Sequence, residues 1–207
     1  MFLYFSFLFK KFVLSNYNSL LSISIGRINI LKLIIYYIAS MIIITFLHEL
    51  SHYSYYYSYL SPKRFTFGIT IKYISMIMFF TNVPFINTIN AKDKIKIINA
   101  GIKMQFVISP VVILLGSITP SLFLSVLFIV NLVTLITDLL PFLKLDGYWA
   151  ISTFLGVSDY DEYIKMLKHK APFKSNTIIL GTFNSILILL TVLSLFFEIF
   201  KYVISIL

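Results

Sequence analysis

Thr45-Phe46-Leu47-His48-Glu49-Leu50-Ser51-His52 closes a run that is almost entirely apolar from Leu33 onward and holds no glycine or proline. Such a run predicts a helix that carries the motif at its end. On a helix, positions i and i+4 share a face. His48 and His52 can therefore offer two ring nitrogens to one metal ion, with Glu49 beside them as a carboxylate that does not ligate. Zinc suits that donor set: its catalytic sites take three protein ligands and keep a fourth position for water. Zinc lowers the pKa of that water to about 7, and a neighbouring glutamate can then take its proton. A pentapeptide of this form also arises by chance. Here, however, it holds two of the three histidines in 207 residues.

The composition around the motif is that of a membrane protein. Hydrophobic residues make up 59% and charged residues 12% of the chain, against about 45–50% and about 25% in soluble domains. The length is one domain's worth. A net charge of +9 does not point to nucleic acid, because the lysines and arginines lie in the loops between apolar runs, as the positive-inside rule describes. There are no cysteines, which leaves histidine and carboxylate for any metal. The N-terminus does not read as a signal peptide: its apolar run precedes Lys10-Lys11, and no small-residue cleavage site follows.

Working outward, residues 1–28 read equally as a short or interfacial helix and as a crossing. A first spanning helix is expected from about 28 to 53, with Tyr53 to Leu60 at an interface. Phe65 to Tyr73 alternates with period two and predicts a strand. The next apolar run, 74–80, is too short to cross, so a β-hairpin or re-entrant loop is expected, sheltered by protein or water. Lys92, Lys94 and Lys96 mark a basic loop. Two further spans are expected, Ala100 to Thr119 with a kink at Pro110 and Ser121 to Leu140, followed by a polar loop over 149–175 and a last span over 177–197. The fold class is an all-α, multi-pass helical bundle with a small membrane-associated β-hairpin. Loop 53–103 holds seven Lys/Arg, loop 143–175 five, and turn 116–120 none. Both basic loops should face the cytoplasm, with the ends carrying His48 and Asp146 on that side.

A third ligand must come from few residues. Glu198 stands three before Lys201 and pairs with it on a helix. His169, between Lys168 and Lys170, reads as a solvated loop residue, and Glu162 lies in the same loop. Asp146 is the best candidate, just past a broken helix at the depth of His48 and His52, with Gly147 allowing a sharp turn. Asp-Gly is also an ordinary turn dipeptide. Asn131, Thr134 and Asp138 fall at i, i+3 and i+7 on one face. An acid within a span normally faces the bundle interior or water, so this face serves either hydrogen bonding between helices or contact with substrate.

His48-Glu49-Leu50-Ser51-His52 in one spanning helix, with Leu145-Asp146-Gly147 ending another, resembles the site-2 protease family of intramembrane zinc metallopeptidases. The resemblance covers about residues 30–150. It implies a three-helix catalytic core over 29–150, flanked by an N-terminal segment 1–28 and by a loop and last helix over 151–207, and it implies Asp146 as third zinc ligand with Glu49 catalytic. Pro141-Phe142-Leu143-Lys144-Leu145-Asp146-Gly147-Tyr148-Trp149 resembles a branch associated with peptide-modification and peptide-export gene clusters, as does Ala100-Gly101-Ile102 to Gln105. The chain carries Asp138 where the family often has Asn, and Asn82 where the branch often has Asp. Both departures bear on substrate handling, so Asp138 and Asn82 are candidate substrate contacts, with Asn131 on the face it shares with Asp138. The implied function is zinc-dependent cleavage of a membrane-associated peptide precursor or a single-span protein in the cell membrane, near its cytoplasmic face. The alternative is a non-hydrolytic membrane component for peptide transport, immunity or binding that retains a protease-like core.

Overall fold

The computed structural model describes residues 2–18, 21, 29–60, 66–72, 76–82, 88–141, 143–156, 178–179, 181–183, 185–187 and 189–190. The chain divides into two compact units, Met1–Asp138 and Leu139–Leu207. Most of the described chain is helical. Three helical stretches are long and apolar enough to cross a membrane: Ile30–Leu60, Ala91–Ile118 and Leu122–Leu139.

In the first unit, α1 spans Phe2–Ser15 and α2 spans Ile30–Leu60. Asn29 opens α2 by accepting the Leu31 N–H at 2.9 Å, a side-chain cap for an otherwise orphaned donor. The helix does not stop at Tyr53 as the sequence reading expected. No glycine or proline follows until Pro62, so nothing breaks the hydrogen-bond ladder. Its 31 residues extend about 46 Å, well beyond a hydrocarbon core of about 30 Å, and the tyrosine-rich end forms the excess. Only one stripe of α2 is covered: Ser40, Ile44, His48, His52 and Tyr56, each four residues after the last. The rest of its apolar window points outward, only 11% of the whole window being buried, as suits a helix facing lipid.

Backbone at Thr66–Lys72 (β1) and Met76–Asn82 (β2) pairs antiparallel, with Thr66 opposite Asn82 and Ile69 opposite Phe79. The lysines expected in a loop instead lie on a short helix, α3, Ala91–Ile98. The local chemistry explains the difference. Asn90 accepts the Asp93 N–H at 2.8 Å, and Asp93 accepts from Lys96 at 2.7 Å. Ile97 and Ile98 supply a buried face. Asn99 interrupts the helix, its backbone leaving helical values at φ −80° and ψ 2°, and α4 continues from Ala100 to Ile118 with Pro110 inside it. After a short turn, α5 runs Leu122–Leu139.

The core of this unit joins Ile44 of α2, Ile108 and Val112 of α4, and Val126, Leu127 and Val130 of α5. Small residues let the backbones approach, as in membrane bundles generally: Ser40, Ala100, Gly101, Gly116 and Ser125 are all buried. The N-terminal segment belongs to this packing. Phe12 is buried against Phe128, with ring centroids 5.3 Å apart. Asn16 is fully buried and donates to Phe12 O at 3.0 Å and Gly116 O at 2.8 Å. Its Oδ1 accepts from Ser121 N–H at 2.9 Å and Ser125 Oγ at 3.3 Å. One amide thus satisfies the polar groups of the α4–α5 turn, groups that have no water to turn to in an apolar setting.

In the second unit, α6 spans Asp146–Phe154. This corrects the polar loop expected from residue 149. The charges that suggested a loop begin at Asp159, whereas 147–154 holds none. Tyr148 and Ser152, one turn apart, are buried. Asp146 occupies the first turn, where the helix's positive end favours an acidic residue. Gly156 takes a φ of 67° just past the helix, the left-handed conformation that suits glycine. Glu162, His169 and Glu198, with much of the expected last span, lie outside the described residues.

Candidate metal centre

His48 and His52 meet as the i, i+4 spacing requires. Their Nε2 atoms are 3.0 Å apart, with the ring planes at 69°. Two nitrogens bound to one zinc at 2.0–2.1 Å in a tetrahedron stand about 3.3 Å apart, so the pair is close to ligating geometry. The far side of His52 sets its tautomer: Nδ1 lies 2.7 Å from Ile97 O. A carbonyl only accepts, so Nδ1 carries the proton and Nε2 presents its lone pair toward His48. A histidine ligand whose other nitrogen donates to a backbone carbonyl is the usual arrangement at metal sites.

The interruption at Asn99 supplies this support. The α3–α4 junction presents Ile97 O to His52, and it presents Ala100 O to Ser51, whose Oγ donates at 2.8 Å. Two turns of α2 are thereby held against one backbone break. Gly101 follows at once. A Cβ there would land on the His48 imidazole, far inside van der Waals contact. The glycine is the space that the ring occupies. Neither Ile97 nor Gly101 was singled out as functional by the sequence reading. The readable signal was a glycine at the start of an otherwise good helix, which marks a close approach.

His48 is bordered on its other side by a polar cluster of α4 and α5. Its Nδ1 lies 3.6 Å from Asp138 Oδ2. Gln105, fully buried, donates from Nε2 to Asp138 Oδ2 at 2.9 Å and to Thr134 Oγ1 at 3.3 Å. Asn131 donates to Gln105 O at 3.0 Å and Ser109 Oγ at 2.9 Å. The face predicted from Asn131, Thr134 and Asp138 thus converges on Gln105 of α4. Of the three candidate substrate contacts, Asn131 lies in this hydrogen bonding between helices and Asp138 lies beside His48. Asn82 closes β2, and its side chain lies outside the described residues.

His48, His52 and Asp146 form a group that could hold a metal ion, with one ligand atom from each within 4.8 Å of the others. Two imidazoles and a carboxylate are a donor set of the kind zinc takes in hydrolytic sites. Glu49 follows His48 directly in α2 and is partly buried. Comparison of the chain with protein-family models, with curated proteins and with solved structures finds no match.

Proposed function

We propose that the protein is an intramembrane zinc-dependent endopeptidase of the site-2 protease type, cleaving a membrane-associated peptide precursor or a single-span protein. The observation that carries this reading is the grouping of His48, His52 and Asp146 with Glu49 in the adjoining position of the same helix. His48, His52 and Asp146 would hold the zinc ion, which when bound supplies a Lewis acid and acidifies a water to a pKa of about 7. Glu49 takes the proton of the attacking water and returns it to the departing amine, the work of a general base and then acid. Helices α2, α4 and α5 are the three-helix core. Helical substrate backbone has its amides bonded internally, so the substrate must be locally unwound, and a membrane-associated hairpin at Thr66–Asn82 offers strand edges on which an extended peptide can pair.

The direct test is a panel of single-span apolar peptides in liposomes, incubated with the purified protein and read by mass spectrometry. Cleavage should appear, stop on chelation and return with added zinc. A protein that holds zinc yet cuts none of the panel would contradict the hydrolytic reading and favour a non-hydrolytic transport, immunity or binding component.

The Lys/Arg bias of segments 53–103 and 143–175 supports a site near the cytoplasmic face of the cell membrane. A cysteine introduced at 92 should be labelled only from the cytoplasmic side, and one at 118 only from outside. The opposite labelling would invert this orientation.

A further inference from the structure

We infer that Asp138 is a positioning residue for His48, accepting its Nδ1–H so that Nε2 is presented as a metal-binding lone pair. This inference rests on the proposed metal centre and extends it to a residue that the sequence pattern reads as a substrate contact.

The two histidines need the same service, and different groups stand beside their Nδ1 atoms. His52 has Ile97 O at 2.7 Å from Nδ1. The equivalent neighbour of His48 is the Asp138 carboxylate, at 3.6 Å from Nδ1. It lies on the ring edge away from Nε2, the atom that faces His52, so Asp138 is placed to orient the ring rather than to ligate beside it. Both side chains are nearly covered, at 11% and 13% exposure. An acid in a spanning helix normally faces a partner inside the bundle or water.

Gln105 fixes which way that carboxylate points. Thr134 Oγ1 gives its own proton to the backbone, at 3.0 Å from Val130 O and 3.1 Å from Asn131 O. It therefore accepts from Gln105. With Thr134 and Asp138 both acceptors, the Gln105 amide nitrogen must face them, and its two protons are committed. The chain Thr134–Gln105–Asp138–His48 runs from α5 through α4 and back to α5 before reaching α2. It ties the first metal-binding histidine to the packing of the whole core.

The test uses the full-length protein in detergent micelles with ¹⁵N-labelled histidine. In the metal-free parent, His48 should give the signature of a protonated Nδ1, the nitrogen beside Asp138. Asp138→Asn should shift that population, and zinc affinity measured against a competing chelator should fall about 10–100-fold, the usual cost of losing such a partner. Helix content by circular dichroism should be unchanged. Gln105→Met, which leaves the carboxylate without its guide, should move both readouts in the same direction and serves where Asp138→Asn does not fold. A zinc affinity within twofold of the parent, with the His48 signature unaltered, would overturn the inference and return Asp138 to substrate contact. If the parent binds no zinc at all, the proposed function fails by itself. The nitrogen signature of the metal-free protein still decides the role of Asp138: a shift in Asp138→Asn upholds it and no shift overturns it.

Discussion

Glu49→Gln should reduce peptide cleavage by about 10²–10⁴-fold, the range for a lost general base, and leave zinc content and membrane insertion as they were. Glutamine keeps the size and the hydrogen-bonding reach of glutamate but cannot take a proton from water. Glu49 adjoins His48 on α2, and turning onto the same ion would require it to displace a histidine. Loss of the carboxylate should therefore spare the metal. Co-expression with a candidate precursor, read by mass spectrometry, should show the uncut form accumulating. Cleavage at the parent's rate would remove Glu49 from the chemistry and with it the mechanism given above.

Gly101→Ala should lower zinc affinity by at least about 100-fold, more than the loss of an orienting partner. The added methyl takes the volume of the His48 ring. The ring can escape only by leaving the position that faces His52 Nε2, or α4 can withdraw from α2 and lose Ile97 O and Ala100 O as supports. Gly116→Ala is the matched control. At the other end of the same helix its Cβ would strike the Phe12 ring. It should destabilise the protein by about 1–3 kcal/mol, the usual cost of overpacking, with zinc affinity unchanged. Chelator competition and thermal unfolding of the two variants separate these effects. Equal zinc affinity in Gly101→Ala and the parent would show that His48 does not ligate from this position.

The pairing of His48 with His52 was legible because i, i+4 adjacency is a local property of any helix. The shared face of Asn131, Thr134 and Asp138 was legible for the same reason, but what that face meets was not. Gln105 acquires its role from the pairing of α4 with α5, and nothing in its own neighbourhood announces that. The supports of His52 and Ser51 are backbone carbonyls, which have no sequence signature; they are presented because Asn99 breaks the helix. The same break hid α3. Three lysines within five residues read as a solvated loop, and the Asn90 cap with its Asp93 partner was overlooked. In α6 the Asp-Gly dipeptide suggested a turn, while the i, i+4 pair Tyr148 and Ser152 marked a helix beginning at that very aspartate. The continuation of α2 past Tyr53 was missed because a change in composition was read as a change in structure, although no breaker stands before Pro62.

The most direct measurement is the metal content of the purified, lipid-reconstituted protein by elemental mass spectrometry. The parent should hold about one zinc per chain, and His48→Ala, His52→Ala and Asp146→Ala should each retain less than about a tenth of it after dialysis. A folded parent without metal, or an Asp146→Ala protein that keeps its full complement, would contradict the metal centre described here.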